Sequence, residues 1–243
     1  MAQEDLRENE KIVHIHVDGL LLQGTFHDPG AANPPVIIGC HGLFADRQSP
    51  KQTALARALC KNGAAFLRID HRGCGGSQGN FKQETTLANR CRDLMAAMDF
   101  VKNKIGLKKR MGLFGSSMGG AVCLKTALQN SVDCMVVNAA PMDFSSVIDV
   151  LKKANQDQLL SKAFYEENPV LAKDEELPIS KILIFHGNQD ETVPVAHALA
   201  LHAMCQEPKK LRLFKNGDHR MSSSRDQGIF IEESVDWYRE HLF

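Results

Sequence analysis

The sequence lacks a surplus of charge of either sign. Its Lys and Arg residues number 29 and its Asp and Glu residues 29, for a formal net charge of +0. Without a basic excess there is little to hold a phosphate backbone, so nucleic acid is not an expected partner. It lacks metal-binding spacings too. The cysteines (Cys40, Cys60, Cys74, Cys91, Cys123, Cys134 and Cys205) are odd in number and scattered, with no Cys-x-x-Cys or Cys/His zinc pattern. Most lie in apolar segments, as buried thiols of a reducing compartment do. No apolar run is long enough to cross a membrane. The opening "MAQEDLRENEK" is acidic and polar, unlike a signal peptide. Internal repeats and low-complexity tracts are missing. These absences set the expectation of a cytoplasmic protein with neither nucleic acid nor membrane as partner.

Two phosphate-binding signatures begin but do not finish. Gly115 and Gly120 are spaced as in a P-loop, but Ala121-Val122 follow where Lys-Ser/Thr is needed. "RGCGGSQG" (72–79) is glycine-rich after a strand, but Gln78 holds the third glycine position of a dinucleotide fingerprint. The short basic runs Lys108-Lys109-Arg110 and Lys209-Lys210 each precede an apolar strand and read as solvated loop charge.

What is present is an alternation. The 243 residues suit one α/β domain with a full core. "KIVHIHV" (11–17) and "LLLQGTFH" (20–27) flank Asp18-Gly19, a hairpin signal. Then come "PVIIGC" (35–40), "AAFLRID" (64–70), "RMGLFG" (110–115), "VDCMVVNA" (132–139) and "KILIFHG" (181–187). Their apolar centres suit strands covered on both faces, as in a parallel sheet. "LRLFKN" (211–216) reads as the last strand. Helical segments alternate with them at 51–62, 85–104, 117–129, 194–205 and 227–242. In the second, Leu87, Cys91, Leu94, Met95, Met98 and Val101 fall at helical spacing. The pattern predicts an α/β fold: a mostly parallel sheet of about eight strands, an initial antiparallel hairpin, and helices on both faces. Residues 142–180 exceed what a crossover needs and are too short and charged for a domain of their own. They read as a small cap or lid insertion within a single domain over 1–243.

"RMGLFGSSMGGAVCL" (110–124) sets two serines between glycines. Framed on Ser117, the motif is Gly115-Ser116-Ser117-Met118-Gly119, which is G-x-S-x-G; framed on Ser116, Phe114 and Met118 flank it. A nucleophile on a sharp strand-to-helix turn has a strained backbone, and we expect a Cβ two residues before or after to crowd its side chain. Only the Ser117 frame leaves room. The plainer alternative is that one of the pair only caps the helix.

A serine hydroxyl needs an imidazole to take its proton. His14 and His16 share a strand face that is half exposed or, less simply, a metal site. His197 and His202 lie on a helix, His241 near the C-terminus and His27 at a strand end. His41, His71 and His186 follow or end strands. His219, in the polar "NGDHR" loop after the last strand, is the best placed. Asp190, in "HGNQDETVP", is the first candidate to orient it, with Asp143 as runner-up. The alternative for Asp190 is a turn or cap residue.

The order Ser117, Asp190, His219 is that of α/β-hydrolases. With the hairpin, His41-Gly42, "DHRGCGGS", "GSSMGG", "GNQDETVP" and "GDH" in sequence, nearly the whole chain resembles that superfamily. "HGLFADRQS" and "DHRGCGGSQGNF" resemble its small serine esterase branch, which includes cinnamoyl and feruloyl esterases. Members often carry His where this chain has Ser116. The resemblance implies an oxyanion hole from the backbone N–H groups of Leu43 and Met118, and structural roles for His41 and for the "DHRG" turn (70–73). It implies a serine hydrolase that cleaves carboxylic esters through an acyl-enzyme on Ser117, with no metal or organic cofactor. Acyl thioesters, an aminopeptidase-like activity and a catalytically silent binding protein remain as alternatives. Phe44, Met142, Phe144, Val193 and Met221 lie near these motifs and are expected, with Met118, to line an apolar pocket for short-to-medium acyl or aryl esters. A monomer or homodimer is expected.

Overall fold

The structure, a computed structural model, describes residues 6–105, 110–167, 171 and 176–243. Lys108 and Lys109 lie outside these, as do 168–170 and 172–175 of the expected insertion.

Asp18 and Gly19 have φ of 51° and 79°. Two successive positive φ values make the tight turn whose twist suits a hairpin. It joins β1 (Glu10–Val17) to β2 (Leu20–His27) in antiparallel register. The charge-free runs become β3 (Val36–Cys40), β4 (Ala65–Ile69), β5 (Met111–Ser116), β6 (Cys134–Asn138) and β7 (Ile182–Gly187). Apart from Ser116, every residue of these five strands is buried. β8 (Lys209–Phe214) closes an eight-stranded sheet of order β1-β2-β4-β3-β5-β6-β7-β8. The pairs from β4 to β8 are parallel; β2 joins β4 antiparallel.

The helices are α1 (Pro50–Lys61), α2 (Phe81–Glu84), α3 (Leu87–Phe100), α4 (Met118–Ala127), α5 (Ser145–Lys153), α6 (Lys162–Glu166), α7 (Ala196–Met204) and α8 (Ser224–Leu242). Side chains alternate across the sheet. On β7, Leu183 and Phe185 join the core formed with α1 and α8, whereas Ile182 and Ile184 join the core on the opposite face, which includes α3, α4 and α7. Phe164 and Leu151 from the 142–180 segment enter that second core.

Three expectations shift. α2 was not anticipated: four residues capped by Asn80, whose Oδ1 accepts from Gln83 N at 3.0 Å, are too few to show a period. The expected 85–104 helix runs Leu87–Phe100, capped by Thr86, and ends in a π-helical turn, Val101–Ile105. Lys209 and Lys210 are not loop charge. They begin β8, an edge strand, where lysines discourage pairing with another chain, and Lys210 meets Glu233 of α8 at 3.0 Å.

Parallel register gathers the strand ends. Cys40 pairs with Gly115 and Ile69, Ser116 with Asn138, and Gly187 with Phe214. The loops after β3, β4, β5, β6, β7 and β8 thus meet along one edge of the sheet, where open α/β sheets bind ligands.

Below that edge the domain buries polar groups that titrate. His27, at the end of β2, accepts from Arg68 Nε at 2.8 Å. Burial and the Arg68 charge push its pKa down to about 4, against the pull of Glu10. The folded protein keeps this ring neutral, while an unfolded chain takes up its proton near pH 6.5. Stability therefore declines as pH falls through the unfolded value, until the folded ring itself protonates. We expect the melting temperature to fall between pH 6.5 and about pH 4. His27→Gln, which keeps an acceptor for Arg68, should make that fall shallower. Thermal scans across the range check this; an unchanged slope in the variant would count against it.

Candidate active site

β5 ends and α4 begins across a single residue, Ser117, with φ 53° and ψ −124°. A non-glycine residue held there costs about 1–3 kcal/mol unless the surroundings enforce it. They do. Ser117 N donates to Asn138 O at 2.8 Å, and Ser117 O accepts from Gly120 N at 2.8 Å.

The flanking glycines make the turn fit, for a reason other than the one expected from sequence. A Cβ on Gly115 would lie 2.4 Å from Gly119 O, and one on Gly119 would lie 2.2 Å from Cys40 O and 2.7 Å from His41 O. A Cβ on Gly120 would meet that of Ala140 at 2.6 Å. The glycines let α4 pass against its own strand, the end of β3 and the chain after β6; they do not clear the serine side chain.

The two serines separate. Ser116 is the last residue of β5, and its Oγ accepts from Asn138 Nδ2 at 3.5 Å. Ser117 stands at the N-cap position but makes no side-chain cap hydrogen bond. Its Oγ lies 3.1 Å from His219 Nε2.

His219 Nδ1 lies 2.9 and 3.0 Å from the two carboxylate oxygens of Asp190. Asp190 also accepts from the amides of Thr192 at 2.9 Å and Val193 at 2.7 Å through Oδ1. The turn reading and the orienting reading of Asp190 thus describe one geometry. Burial opposes its ionisation, but the His219 ring and those amides outweigh it and hold the carboxyl below its ordinary value. An ionised carboxylate only accepts, so a neutral His219 carries its proton on Nδ1 and turns a lone pair on Nε2 toward the Ser117 hydroxyl. Asp143 accepts from Ser145 N at 2.9 Å at the start of α5.

His186 backs this pair, a role the sequence did not suggest. Its Nε2 lies 2.8 Å from Val193 O and 3.4 Å from Asp190 Oδ2. Burial lowers its pKa, so the neutral ring donates to that loop.

Met118 follows Ser117 at the head of α4, and a Cβ on Gly42, the residue before Leu43, would be 3.5 Å from Ser117 Cβ. His41 is buried, and burial and the Arg90 charge hold its pKa well below its ordinary value. Its Nε2 accepts from His71 N at 3.2 Å, so Nδ1 carries the proton and donates to Gly42 O at 2.8 Å. The "DHRG" turn is a packed scaffold: Asp70 accepts from Arg47 N at 2.6 Å and Gly76 N at 2.8 Å, and Asp93 Oδ1 accepts from Arg72 Nε at 2.8 Å. Arg90 and Asp93, fully buried on α3, went unnoticed in the sequence because only the apolar stripe of that helix stands out.

The expected pocket residues need correction. Phe44 is 53% exposed and its ring lies 5.6 Å from that of Phe81, but Met142, Phe144, Val193 and Met221 are each at most 4% exposed. Phe144 stacks on Phe164 at 5.2 Å, and Met221 belongs to the core formed with α1 and α8. These four are packed core rather than an open acyl wall. A cavity of about 450 Å³ lies elsewhere, between α3, α4 and α6, lined by Leu87, Cys91, Met95, Thr126 and Glu167 among others. His14 and His16 are exposed on β1.

The model of the prolyl oligopeptidase family matches residues 51–243. The uncharacterized protein YfhR of Escherichia coli K12 is 26% identical over 230 residues, covering 90% of this chain and 77% of that one. The mitochondrial palmitoyl-protein thioesterase ABHD10 of Mus musculus is 26% identical over 223 residues, covering 81% and 73%. Est1E of Butyrivibrio proteoclasticus, solved with ferulic acid bound, superposes with a TM-score of 0.77 at 19% identity, covering 94% of this chain and 98% of that one. The fold is that of the α/β-hydrolases.

The close approach at the serine turn has a measurable consequence. Gly119→Ala should lower stability by about 1–3 kcal/mol, because backbone rather than a flexible side chain meets the new methyl group. Gly228→Ala, in α8, meets nothing within 4 Å and should stabilise instead. Denaturant unfolding of both variants tests the contrast; a Gly119→Ala protein as stable as the parent would contradict it.

Proposed function

Because the chain belongs to the prolyl oligopeptidase family, as the match over residues 51–243 shows, we propose that it is a serine hydrolase acting on carboxylic esters. The observation that carries this is the unbroken series Ser117 Oγ, His219 Nε2, His219 Nδ1 and Asp190, with contacts of 3.1 and 2.9 Å. Ser117 attacks the acyl carbon as His219 takes its proton. Asp190 keeps the ring oriented and stabilises the imidazolium that forms. The tetrahedral oxygen carries its charge toward the Leu43 and Met118 amides, at the head of α4, where the helix dipole adds to them. His219 then gives the proton to the departing alcohol. Water, activated by the same imidazole, releases the acid from Ser117.

On this reading Phe44, the exposed aromatic that follows Leu43, with the ring of Phe81 5.6 Å from its own, favours an apolar acyl or aryl group of modest size. Residues 142–180 act as a partial lid on this reading: Phe144, Val147, Leu151 and Phe164 of that segment are tied into the core. A thioester is the second reading, favoured by the likeness to the mouse palmitoyl-protein thioesterase. The family's description favours a peptide, but the modest insertion here differs from the larger caps usual in aminopeptidase-like hydrolases.

Kinetics on p-nitrophenyl, hydroxycinnamoyl, thioester and peptide substrates sort these readings. We expect turnover to be fastest with short-to-medium or aryl esters; a clear preference for long emulsified lipids, thioesters or peptides would displace the ester assignment. Ser117→Ala, His219→Ala and Asp190→Asn should each cut kcat by roughly 10³-fold or more. Ser116→Ala should stay within about tenfold of the parent, well short of the loss from removing one oxyanion donor. Near-normal turnover by Asp190→Asn, with loss in Asp143→Asn, would move the acid to Asp143.

A further inference from the structure

Arg90 lies on α3 with no solvent exposure. Burying a guanidinium is costly unless its donors are used. Nη1 donates to Gly42 O at 3.2 Å, and Nη2 donates to Leu43 O at 3.0 Å and meets Cys74 Sγ at 3.6 Å. The carboxylate nearest on its own helix, Asp93, is taken up by Arg72 and His71. Arg90 thus commits both amino arms to main-chain carbonyls of one loop, while its buried Nε has no hydrogen-bond partner among the described residues.

Those carbonyls bracket one N–H group. Gly42 C=O and Leu43 N–H belong to the same peptide plane, and in a trans peptide they point in opposite directions. Gly42 O accepts from Arg90 Nη1, from His41 Nδ1 and, at 3.4 Å, from Ala45 N. The Leu43 N–H must then face away from them. Leu43 O, held by the second arm of the fork, fixes the next peptide as well. A planar guanidinium suits this two-point grip; an ammonium, a point charge on a flexible stem, does not reproduce it.

We propose that Arg90 is a positioning residue that clamps the Gly42–Leu43 peptide so that the Leu43 N–H points at the oxyanion formed on attack by Ser117. The proposal rests on the serine-hydrolase reading. Arg90 itself touches no substrate. It removes the freedom of the peptide to rotate, so the donor is aimed before charge develops rather than reorganised during the reaction. Loss of the clamp should therefore weaken stabilisation of the transition state more than binding of the ester.

The test compares Arg90→Gln and Arg90→Lys with the parent and with Leu59→Ala, a buried control on α1 in the opposite core. Active sites are first counted with a fluorophosphonate, and rates are expressed per labelled site. We expect kcat of Arg90→Gln to fall by about 10–10²-fold, less than the 10²–10³-fold seen when an oxyanion donor is removed outright, with little change in KM. Arg90→Lys should recover part of that loss. Affinity for an alkyl trifluoromethyl ketone, which forms the oxyanion, should fall in step with kcat/KM, while affinity for an ether analogue of the ester should not change. Leu59→Ala should keep the parent kcat per site despite its lower stability. Equal kcat per site in the Arg90 variants, equal weakening of both ligands, or a matching kcat loss in Leu59→Ala would overturn the proposal. Should Arg90→Gln fail to fold, Arg90→Lys is read by the same criteria. A parent protein left unlabelled at Ser117 is a separate result: it removes the serine-hydrolase reading, and the proposal with it.

Discussion

The site depends on how closely α4 approaches the end of β3. A Cβ on Gly119 would lie 2.2 Å from the Cys40 carbonyl, so only a hydrogen at that position lets the helix start where it does. That contact holds Ser117 at a φ of 53° and sets its hydroxyl beside the loop that follows β3. A sheet of five buried parallel strands supplies the rigidity; three glycines and one strained serine supply the geometry.

Around this turn the protein buries several charged side chains. Arg47 holds Asp70, Arg72 holds Asp93, and Arg90 holds two backbone carbonyls, all at or near zero exposure. Such pairs add little to net stability compared with apolar packing of the same volume. What they provide is direction. Each guanidinium fixes a loop at the carboxyl edge of the sheet, where there is no ladder to hold the chain. His41 and His186 do the same in neutral form: burial lowers both pKa values, and each ring donates to a backbone carbonyl of a loop beside Ser117 or Asp190. The functional loops are therefore held by buried polar contacts and the sheet beneath them by apolar ones.

This division explains what was legible in the sequence. The strands and the Asp18-Gly19 hairpin could be read because their signals are local: apolar runs and a dipeptide with two positive φ values. Ser117, Asp190 and His219 could be picked out because each follows a strand and sits in a short loop of small or polar residues. Arg90 and Asp93 could not. They interrupt the stripe of α3, and the groups that justify their burial, Gly42, Leu43, His71 and Arg72, lie far away in the chain or in another loop. Phe144 and Met221 misled for the opposite reason. Nearness in sequence to the motifs placed them in a pocket, whereas packing against Phe164 and the α1 and α8 core buries them. The glycine spacing marks the turn at Ser117, although the clash it avoids is with the Cys40 and His41 carbonyls rather than with the serine itself.

The central claim is that Ser117 carries the acyl group between the two halves of the reaction. A slowly hydrolysed ester, mixed with the protein and quenched in acid within the first turnover, leaves that acyl group covalently attached where it was transferred. Peptide mass spectrometry then locates it. The account predicts one acyl mass per chain, on the Ser117 hydroxyl, decaying at the rate of product release. An acyl group on Ser116 or elsewhere, or ester turnover with no covalent species at any time point, would contradict it.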